Sequence, residues 1–377
     1  MELQGKALVI GGGIGGMCAA IELRKRGVAV DLVEVNPDWS VYGAGITISG
    51  PTLRALRTVG VADEVVARGG TWERIDFRSA EGQPLHEVVI PPAVDADGLP
   101  RAGGIMRPVL AQILSQATRA AGTQVRTGVT FADITQDADG VDVRFTDGSQ
   151  DRYALVIGAD GVNSQVRTRL FPGAPAPLFS GQGSWRAVVP RPSAHSLMYL
   201  GATSKVGINP VSADEAYLYC LDHREGADFI PEAQWPGMLV ELLAPFGGHV
   251  GEMREGFRSG ALDASRILYR PLMGLMMPAP WHQGRVLLLG DACHATTPHM
   301  ASGAGIAIED AVVLGEELAR HATLEAALAA HTARRFERCR LVVENSLQLG
   351  RIEQTRGSKD AHAALMRDTL LALSAPI

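Results

Sequence analysis

Residues 286–310, VLLLGDACHATTPHMASGAGIAIED, put a carboxylate, two imidazoles and a glycine-opened helix into one short stretch. Four apolar residues, 286–289, suffice for a buried strand that ends at Gly290-Asp291. Asp291 then stands at a strand's carboxyl end, the side of an open α/β sheet where ligands bind. His294, Pro298 and His299 follow, and Gly303-Ala304-Gly305 opens a helix whose Ile306, Ala307, Ala311 and Val312 recur at helical spacing. Such a helix start offers free N–H groups and the positive dipole end to something negative. The stretch reads as the seat of a flat cofactor ring with an imidazole close by.

A second cofactor signal lies near the N-terminus. Residues 7–10 are a short apolar run leading into Gly11-Gly12-Gly13-Ile14-Gly15-Gly16. Helix formers follow over 17–26, then Gly27 as a C-cap and a strand over 28–33 that ends in Glu34, 18 residues past Gly16. Strand, Gly-x-Gly-x-x-Gly, helix, strand and acid make the dinucleotide-binding pattern. Gly11 permits the turn, Gly13 lets the backbone approach a pyrophosphate, Gly16 lets helix and strand pack closely, and Glu34 bonds the adenosine ribose. This pattern serves NAD and FAD alike. The next segment, Tyr42-Gly43-Ala44-Gly45-Ile46-Thr47-Ile48, favours FAD, because glycines bracketing a small residue suit a loop passing close to a flat ring.

Further along, residues 52–59 read as a helix, 71–89 as short strands, and the Pro- and Gly-rich 91–104 as a connecting loop. Arg107 opens a helix with Leu110, Ile113 and Leu114 inward. Strands are expected over 125–129, ending at Val129, and over 141–145, the latter between the hairpin turns Asp139-Gly140 and Asp147-Gly148. An apolar strand over 153–159 runs into Asp160-Gly161-Val162-Asn163-Ser164-Gln165-Val166-Arg167, where Asp160 could cap the following helix. Residues 183–280 carry strand-like pieces and one expected helix, 235–243. In residues 216–221 the alternation puts Tyr217, Tyr219 and Leu221 on one face. From Asp310 onward the chain reads as helical.

The N-terminal pattern, the Asp160 to Arg167 segment and the Gly290-Asp291 turn together resemble the single-component FAD aromatic hydroxylases, the para-hydroxybenzoate hydroxylase family. The resemblance implies an α/β fold: a Rossmann-like (GR2-type) FAD-binding domain of residues 1–70, 101–178 and 281–345, an inserted antiparallel β-sheet substrate domain of 71–100 and 179–280, and a C-terminal helical segment, 346–377. It implies FAD, held by Gly11, Gly13, Ile14, Gly15, Gly16, Glu34, Gly45, Ile46, Thr47, Arg107, Val129, Asp160, Arg167, Gly290, Asp291, Pro298, Gly303, Ala304 and Gly305. In that family the aspartate matching Asp291 bonds the ribityl chain, the proline matching Pro298 packs near the isoalloxazine, and the arginine matching Arg107 reaches the pyrophosphate side. The aspartate matching Asp160 is associated with both FAD and pyridine-nucleotide handling.

The activity implied is hydroxylation of a small aromatic or heteroaromatic substrate by a flavin C4a-hydroperoxide, with NADH or NADPH as transient reductant and O2 as co-substrate. The protein must then exclude water and remove a ring proton. His299 is the first candidate for the proton step, since imidazoles titrate near neutrality. Tyr217, Tyr219 and Lys205 come next as substrate-orienting groups, while His294 is expected to bond backbone. A flavin-dependent epoxidase or reductase on the same fold, or an NAD-dependent dehydrogenase, are the competing readings. The Trp-x-Trp-x-Ile-Pro signature of halogenases of this fold is absent.

Composition narrows the partners. Over 377 residues, 41 acidic against 35 basic side chains give a net charge of −6, with no electrostatic footprint for nucleic acid or anionic lipid. The longest uncharged run near the cofactor turn, 271–281, is too short to cross a bilayer and holds three prolines. The N-terminus lacks a basic region, apolar run and cleavage site. Cys18, Cys220, Cys293 and Cys339 form no C-x-x-C pair, so no metal site or disulfide framework is expected. A cytoplasmic monomer or homodimer fits these features.

Overall fold

The structure, a computed structural model, describes residues 4–41 and 43–377. Tyr42 of the glycine-rich segment lies outside them. A six-stranded sheet carries the nucleotide-binding part, in the order His282–Gln283, Val286–Leu288, Leu155–Gly158, Ala7–Ile10, Val30–Glu34, Gln124–Thr127. All neighbours are parallel except the edge strand His282–Gln283. Ala7–Ile10 is at most 1% exposed at any residue, which explains its unbroken apolar sequence: a central parallel strand is covered on both faces. The helices Ile14–Lys25 and Gly303–Arg320 pack against each other. Their contact is close because a side chain at Gly15 would meet Leu289 Cδ2 at 2.8 Å and Ala307 Cβ at 3.4 Å.

Two three-stranded sheets attach to this core. One is the meander Phe131–Gln136, Val141–Phe145, Gln150–Tyr153 with the expected hairpin turns. The other joins Gly45–Ser49, Ala102–Met106 and Gly70–Trp72. Residues 102–104, expected as loop, instead begin the middle strand of this sheet. Gly103 and Gly104 hid the strand, since glycine has no β propensity of its own; a side chain at Gly103 would meet Gly70 O at 2.9 Å.

A seven-stranded sheet faces the nucleotide-binding core, in the order Ile267–Gly274, Leu178–Pro190, Glu215–His223, Lys205–Pro210, Ser196–Leu200, Arg74–Ser79, Pro84–Val89. Its pairs are antiparallel save Ser196–Leu200 with Arg74–Ser79. One face buries Trp185, Ala187, Leu197, Tyr199 and Leu218 against the helices Trp235–Leu242 and Gly248–Ser259. The second helix was not anticipated. Gly248, Gly251 and Gly256 lower its propensity, and only the packing of Val250, Met253 and Phe257 makes it helical. The other face looks toward the nucleotide-binding core. Leu324–Gln354 and Lys359–Ser374 complete the helical C-terminus, and among the described residues no helix is long and apolar enough to cross a membrane.

Candidate functional site

The glycine loop after Ala7–Ile10 is shaped by close contacts. Gly11 has φ of +106°, and a side chain there would collide with Ala159 O and lie 3.0 Å from Asp160 Cα. A Cβ on Gly16 would collide with the Gly11 carbonyl. Gly13 is different: nothing lies within 4 Å of its would-be Cβ, so its free face opens onto the cleft. Gly13 also N-caps Ile14–Lys25 with no side-chain hydrogen bond, leaving the helix's first N–H groups and positive end for an anion. Glu34 sits beside this loop, its Oε2 accepting from Gly12 N at 2.7 Å and its Oε1 from Asn36 N at 2.8 Å. Val129 N donates to Glu34 O at 3.1 Å. Trp39, not singled out from the sequence, donates from Nε1 to Gly12 O at 2.8 Å and so borders the same corner.

On the opposite side of the cleft, Val286–Leu288 leads to Gly290, whose φ of +65° and ψ of −140° turn the chain into the short helix Asp291–His294. A buried ion network holds the turn from behind. Asp310, fully buried, accepts from Gly290 N at 3.1 Å and His294 Nε2 at 2.5 Å through Oδ2, and from Arg335 Nε at 2.8 Å through Oδ1. Burial alone would raise the Asp310 carboxyl, but His294 and Arg335 hold it far below the usual range. Burial would likewise lower His294, yet the Asp310 charge keeps it well above the ordinary imidazole value. His331, buried and repelled by Arg335, is pulled down to about 4 despite Asp310. The expectation that His294 bonds backbone is corrected: its partner is the Asp310 carboxylate. His294, Asp310 and Cys339 place ligand atoms within 4.8 Å of one another, but Arg335 already neutralises this corner and would repel a metal cation.

Asp291 itself lies open along the cleft floor and is hemmed in by protein elsewhere. That crowding raises its carboxyl above the usual range, while His294 and Arg107 pull the other way. Pro298–Met300 forms one turn of 3₁₀ helix, and Ser302 spends its hydroxyl on Met300 O at 2.8 Å instead of capping Gly303–Arg320. This 18-residue helix therefore also aims uncapped N–H groups, at Gly303, Ala304 and Gly305, into the cleft. Arg107 begins its own helix with Nε lacking a hydrogen-bond partner among the described residues, and a Cβ on Gly43 would meet its Cδ at 2.6 Å. Asp291 is near enough to favour its charge but makes no ion pair with it among the described residues, which leaves a buried cation able to take a further anion.

The Asp160 segment is tied down by the protein's own groups. Asp160 accepts from Ser164 Oγ at 2.5 Å, Gln165 N at 2.7 Å and Val166 N at 3.0 Å, so its carboxylate caps the helix Gln165–Leu170. Arg167 is 3% exposed and donates to Ala292 O and Val162 O, both at 2.8 Å. It braces the cofactor turn from inside the protein through the Ala292 carbonyl. The backbone around Asp160 still shapes the cleft through its contact with Gly11.

The roof is the open face of the seven-stranded sheet. Tyr217 packs with Ala44, Val188 and Val211, and a Cβ on Gly45 would strike its ring. Its hydroxyl is shared with Thr47 Oγ1 and lies 3.4 Å from Asn209 Nδ2, which also donates to Thr47 at 2.9 Å. Tyr217 and Thr47 thus fasten the glycine segment to the sheet, with their hydroxyls already engaged. Tyr219 lies beside Tyr217, ring centroids 5.3 Å apart, over Gly207, and burial raises its phenol well above the usual value. Lys205 Nζ is 2.5 Å from Glu353 Oε1, whose other oxygen is 3.4 Å from His299 Nε2 and which also meets His362 Nε2 at 3.0 Å. Burial works against ionisation of Glu353, yet bonds from His299 and His362 and the Lys205 charge hold its pKa far below normal. His299 Nδ1 is 2.9 Å from Thr297 Oγ1, and its side chain is only 1% exposed. Expected as a base on the ring, it is enclosed behind the pocket wall. Sequence reasoning missed Glu353, Asn209 and Arg186; only Arg186 carried a signal, a lone charge in the apolar strand segment Trp185-Arg186-Ala187-Val188-Val189.

A family model described as FAD binding domain matches residues 4–237 and 270–346. The aurachin C monooxygenase/isomerase of Stigmatella aurantiaca is 32% identical over 374 residues, spanning 97% of this chain and 93% of its own. The 6-hydroxynicotinate 3-monooxygenase of Bordetella bronchiseptica is 31% identical over 343 residues, covering 83% and 82% of the two chains. The crystal structure of Klebsiella pneumoniae HpxO with FAD and uric acid superposes with a TM-score of 0.85 at 27% identity, covering 98% of this chain and 97% of that one.

Proposed function

Because the chain belongs to the single-component FAD-dependent aromatic hydroxylase family, we propose that it is an NAD(P)H- and O2-dependent monooxygenase acting on a small aromatic or heteroaromatic ring. FAD is its cofactor, and the cleft fits it. Two long helices with uncapped N-termini, the open face of Gly13, the carboxylates of Glu34 and Asp291 and the unpaired Arg107 border one groove. This convergence carries the reading, since each part is unfavourable without an anionic, hydroxyl-bearing ligand. Gly13, the N-terminus of Ile14–Lys25 and Arg107 would take the pyrophosphate, Glu34 the adenosine ribose, Asp291 the ribityl chain, and the start of Gly303–Arg320 the electron-rich edge of the ring.

Bound FAD would supply two-electron redox chemistry and activated oxygen, so that one oxygen atom enters a ring C–H bond as a hydroxyl and the other leaves as water, with the nicotinamide as electron source. The rest is the work of side chains. The sheet face of Val188, Tyr217 and Tyr219 walls the pocket against water, and Tyr219, kept neutral, is a hydrogen-bond donor to the ring substrate. At the other end, Lys205 and Glu353 are exposed enough to meet a ring (29% and 22% of their side chains), whereas His299 is not. His299 therefore acts through Glu353, the carboxylate that also holds Lys205 at the end of the pocket where the ring proton is handled. The test is to screen phenolic, benzoate, pyridine, indole and purine compounds for faster NAD(P)H oxidation by the purified protein, with product and hydrogen peroxide both quantified. Stimulated oxidation with hydroxylated product supports the reading. Protein purified without absorbance near 450 nm, or oxidation that yields peroxide alone with every compound, would overturn it.

A further inference from the structure

The pocket face of the seven-stranded sheet continues well past the pocket. Strand pairing carries one row of residues from Tyr219 through Gly207, Met198 and Phe77 to His86 at the sheet's edge. Ile75 and Val88, paired with each other, flank this row on one side, and Leu200 flanks it on the other. All of these point away from Leu197 and Tyr199, which are buried against the helices Trp235–Leu242 and Gly248–Ser259. Met198, Leu200, Ile75, Phe77 and Val88 thus make an apolar strip on the outer part of the face. Val88 and Leu200 are 43% and 38% exposed, the other three are partly buried, and none of the five belongs to or packs against a buried cluster among the described residues.

The row leaves the pocket through a gap. On the strand Lys205–Pro210 the positions facing the pocket are Lys205, Gly207 and Asn209. Two of them are bridged to the cofactor-binding half: Asn209 Nδ2 donates to Thr47 Oγ1 at 2.9 Å, and Lys205 Nζ meets Glu353 Oε1 at 2.5 Å. Gly207, midway between the bridges, has no side chain, and the Tyr219 ring lies in the room this leaves, since a Cβ at Gly207 would strike it. The bridges start four strand residues apart, about 13 Å. The gap is therefore wide enough for a hydrocarbon chain, and its floor is the face of an aromatic ring. From Tyr219 to Phe77 the strip runs three strand spacings, about 14 Å. It offers no charge before His86, whose ring is stacked on Phe77 with centroids 4.6 Å apart. An open apolar strip gains from being covered, and one that begins at the pocket mouth is best covered by something already held in the pocket.

We propose that the strip seats an apolar substituent of the substrate, so that the ring carries a hydrocarbon chain several carbons long; this rests on the monooxygenase reading and narrows it to a substrate class. Met198 and Phe77 are specificity residues that touch the chain and leave the reacting ring to the pocket.

The experiment titrates the FAD-loaded wild type, a Met198→Gln/Phe77→Gln double variant and a Met198→Leu/Phe77→Leu control, following the flavin absorbance. The probes are 4-alkylphenols and 4-alkylpyridines with unbranched chains from methyl to nonyl. Fully burying one methylene tightens binding by about 4-fold. On a strip open to solvent along one side, the wild type is expected to gain roughly 2- to 4-fold per methylene in at least one series. The Gln variant flattens that slope but binds the methyl member as tightly as the wild type, and the Leu control keeps the slope. A flat slope in the wild type, a slope that persists in the Gln variant, or no binding by any probe overturns the proposal. Sedimentation of the same proteins tests the other occupant: a wild-type dimer that the Gln variant separates, with a flat slope, gives the strip to a second copy of the chain. Product analysis keeps the two readings apart. Chain-length selectivity that the Gln variant erases, in a protein that hydroxylates nothing, refutes the monooxygenase only; hydroxylation with a flat slope refutes the strip only.

Discussion

Replacing Asp310 by Asn tests whether the buried ion network holds the cofactor turn. Asn keeps the shape but removes the charge, and it cannot accept simultaneously from Gly290 N, His294 Nε2 and Arg335 Nε as the carboxylate does. His294 would then lose its carboxylate partner, and Arg335 would keep only Glu309, which also serves Arg338. Breaking one side of a fully buried pair costs about 3–5 kcal/mol, a large share of a typical folding stability of roughly 5–15 kcal/mol. At about 2 °C per kcal/mol, the melting temperature should fall by about 6–10 °C. The loss should depend on pH in a definite direction. Asp310, depressed when folded, contributes above its unfolded value near ~3.9, and the contribution is lost as pH falls toward its folded value. His294, raised when folded, contributes fully below its unfolded value near ~6.5 and loses this as pH rises toward its folded value. The gap between wild type and variant is therefore widest between about pH 4 and 6.5 and narrows above it. Thermal melts across this range, with FAD content read near 450 nm, provide the assay. A variant within about 1 kcal/mol of wild type at pH 5–6, fully loaded with FAD, would refute the argument that this network positions Gly290-Asp291.

Gly13→Val should leave the melting temperature of the FAD-free protein unchanged, because the added methyls enter open space, yet purify with substoichiometric flavin; full occupancy would remove the pyrophosphate from that loop. Asp160→Ala, which removes the acceptor for Gln165 N and Val166 N while Ser164 still caps Gln165–Leu170 through Arg167 N, should cost about 1 kcal/mol in denaturant melts while anaerobic flavin reduction by NAD(P)H proceeds at the wild-type rate. A slower reduction at unchanged stability would return Asp160 to nucleotide handling. His299→Ala and Glu353→Gln should both go on consuming NAD(P)H but divert oxygen to hydrogen peroxide, with oxygen transfer slowed by about 10², the low end for proton-handling groups, since His299 acts only through Glu353 and Glu353 is already tied to Lys205 and His362. Wild-type coupling in both variants would take the Lys205–Glu353–His299 cluster out of the chemistry.

The cofactor-binding half could be read without a structure because its signals are local. The glycine spacing from Gly11 to Gly16, the acid at Glu34 and the turn at Gly290-Asp291 are dictated by neighbours a few residues away: Gly16 must be small because Gly11 O lies against it, and Gly290 because its φ is positive. The helical character of the chain from Asp310 onward was likewise legible. The substrate side obeys no such short-range rule. Which way Arg186 points depends on Trp185 being claimed by helices 50 and more residues downstream, and one of those, Gly248–Ser259, has too many glycines to be read as a helix by itself. Lys205 meets Glu353 across 148 residues, and Tyr217 meets Thr47 across 170. Asp160 and Arg167 show the converse: the motif was plain and a capping role for Asp160 could be read from it, but the brace that Arg167 makes became visible only once Ala292 O was in place as its partner. Backbone conformation and cofactor contact follow from steric rules that act along the chain, whereas the use of a charge is decided by the partners that burial brings to it, and those are set by the packing of the whole molecule.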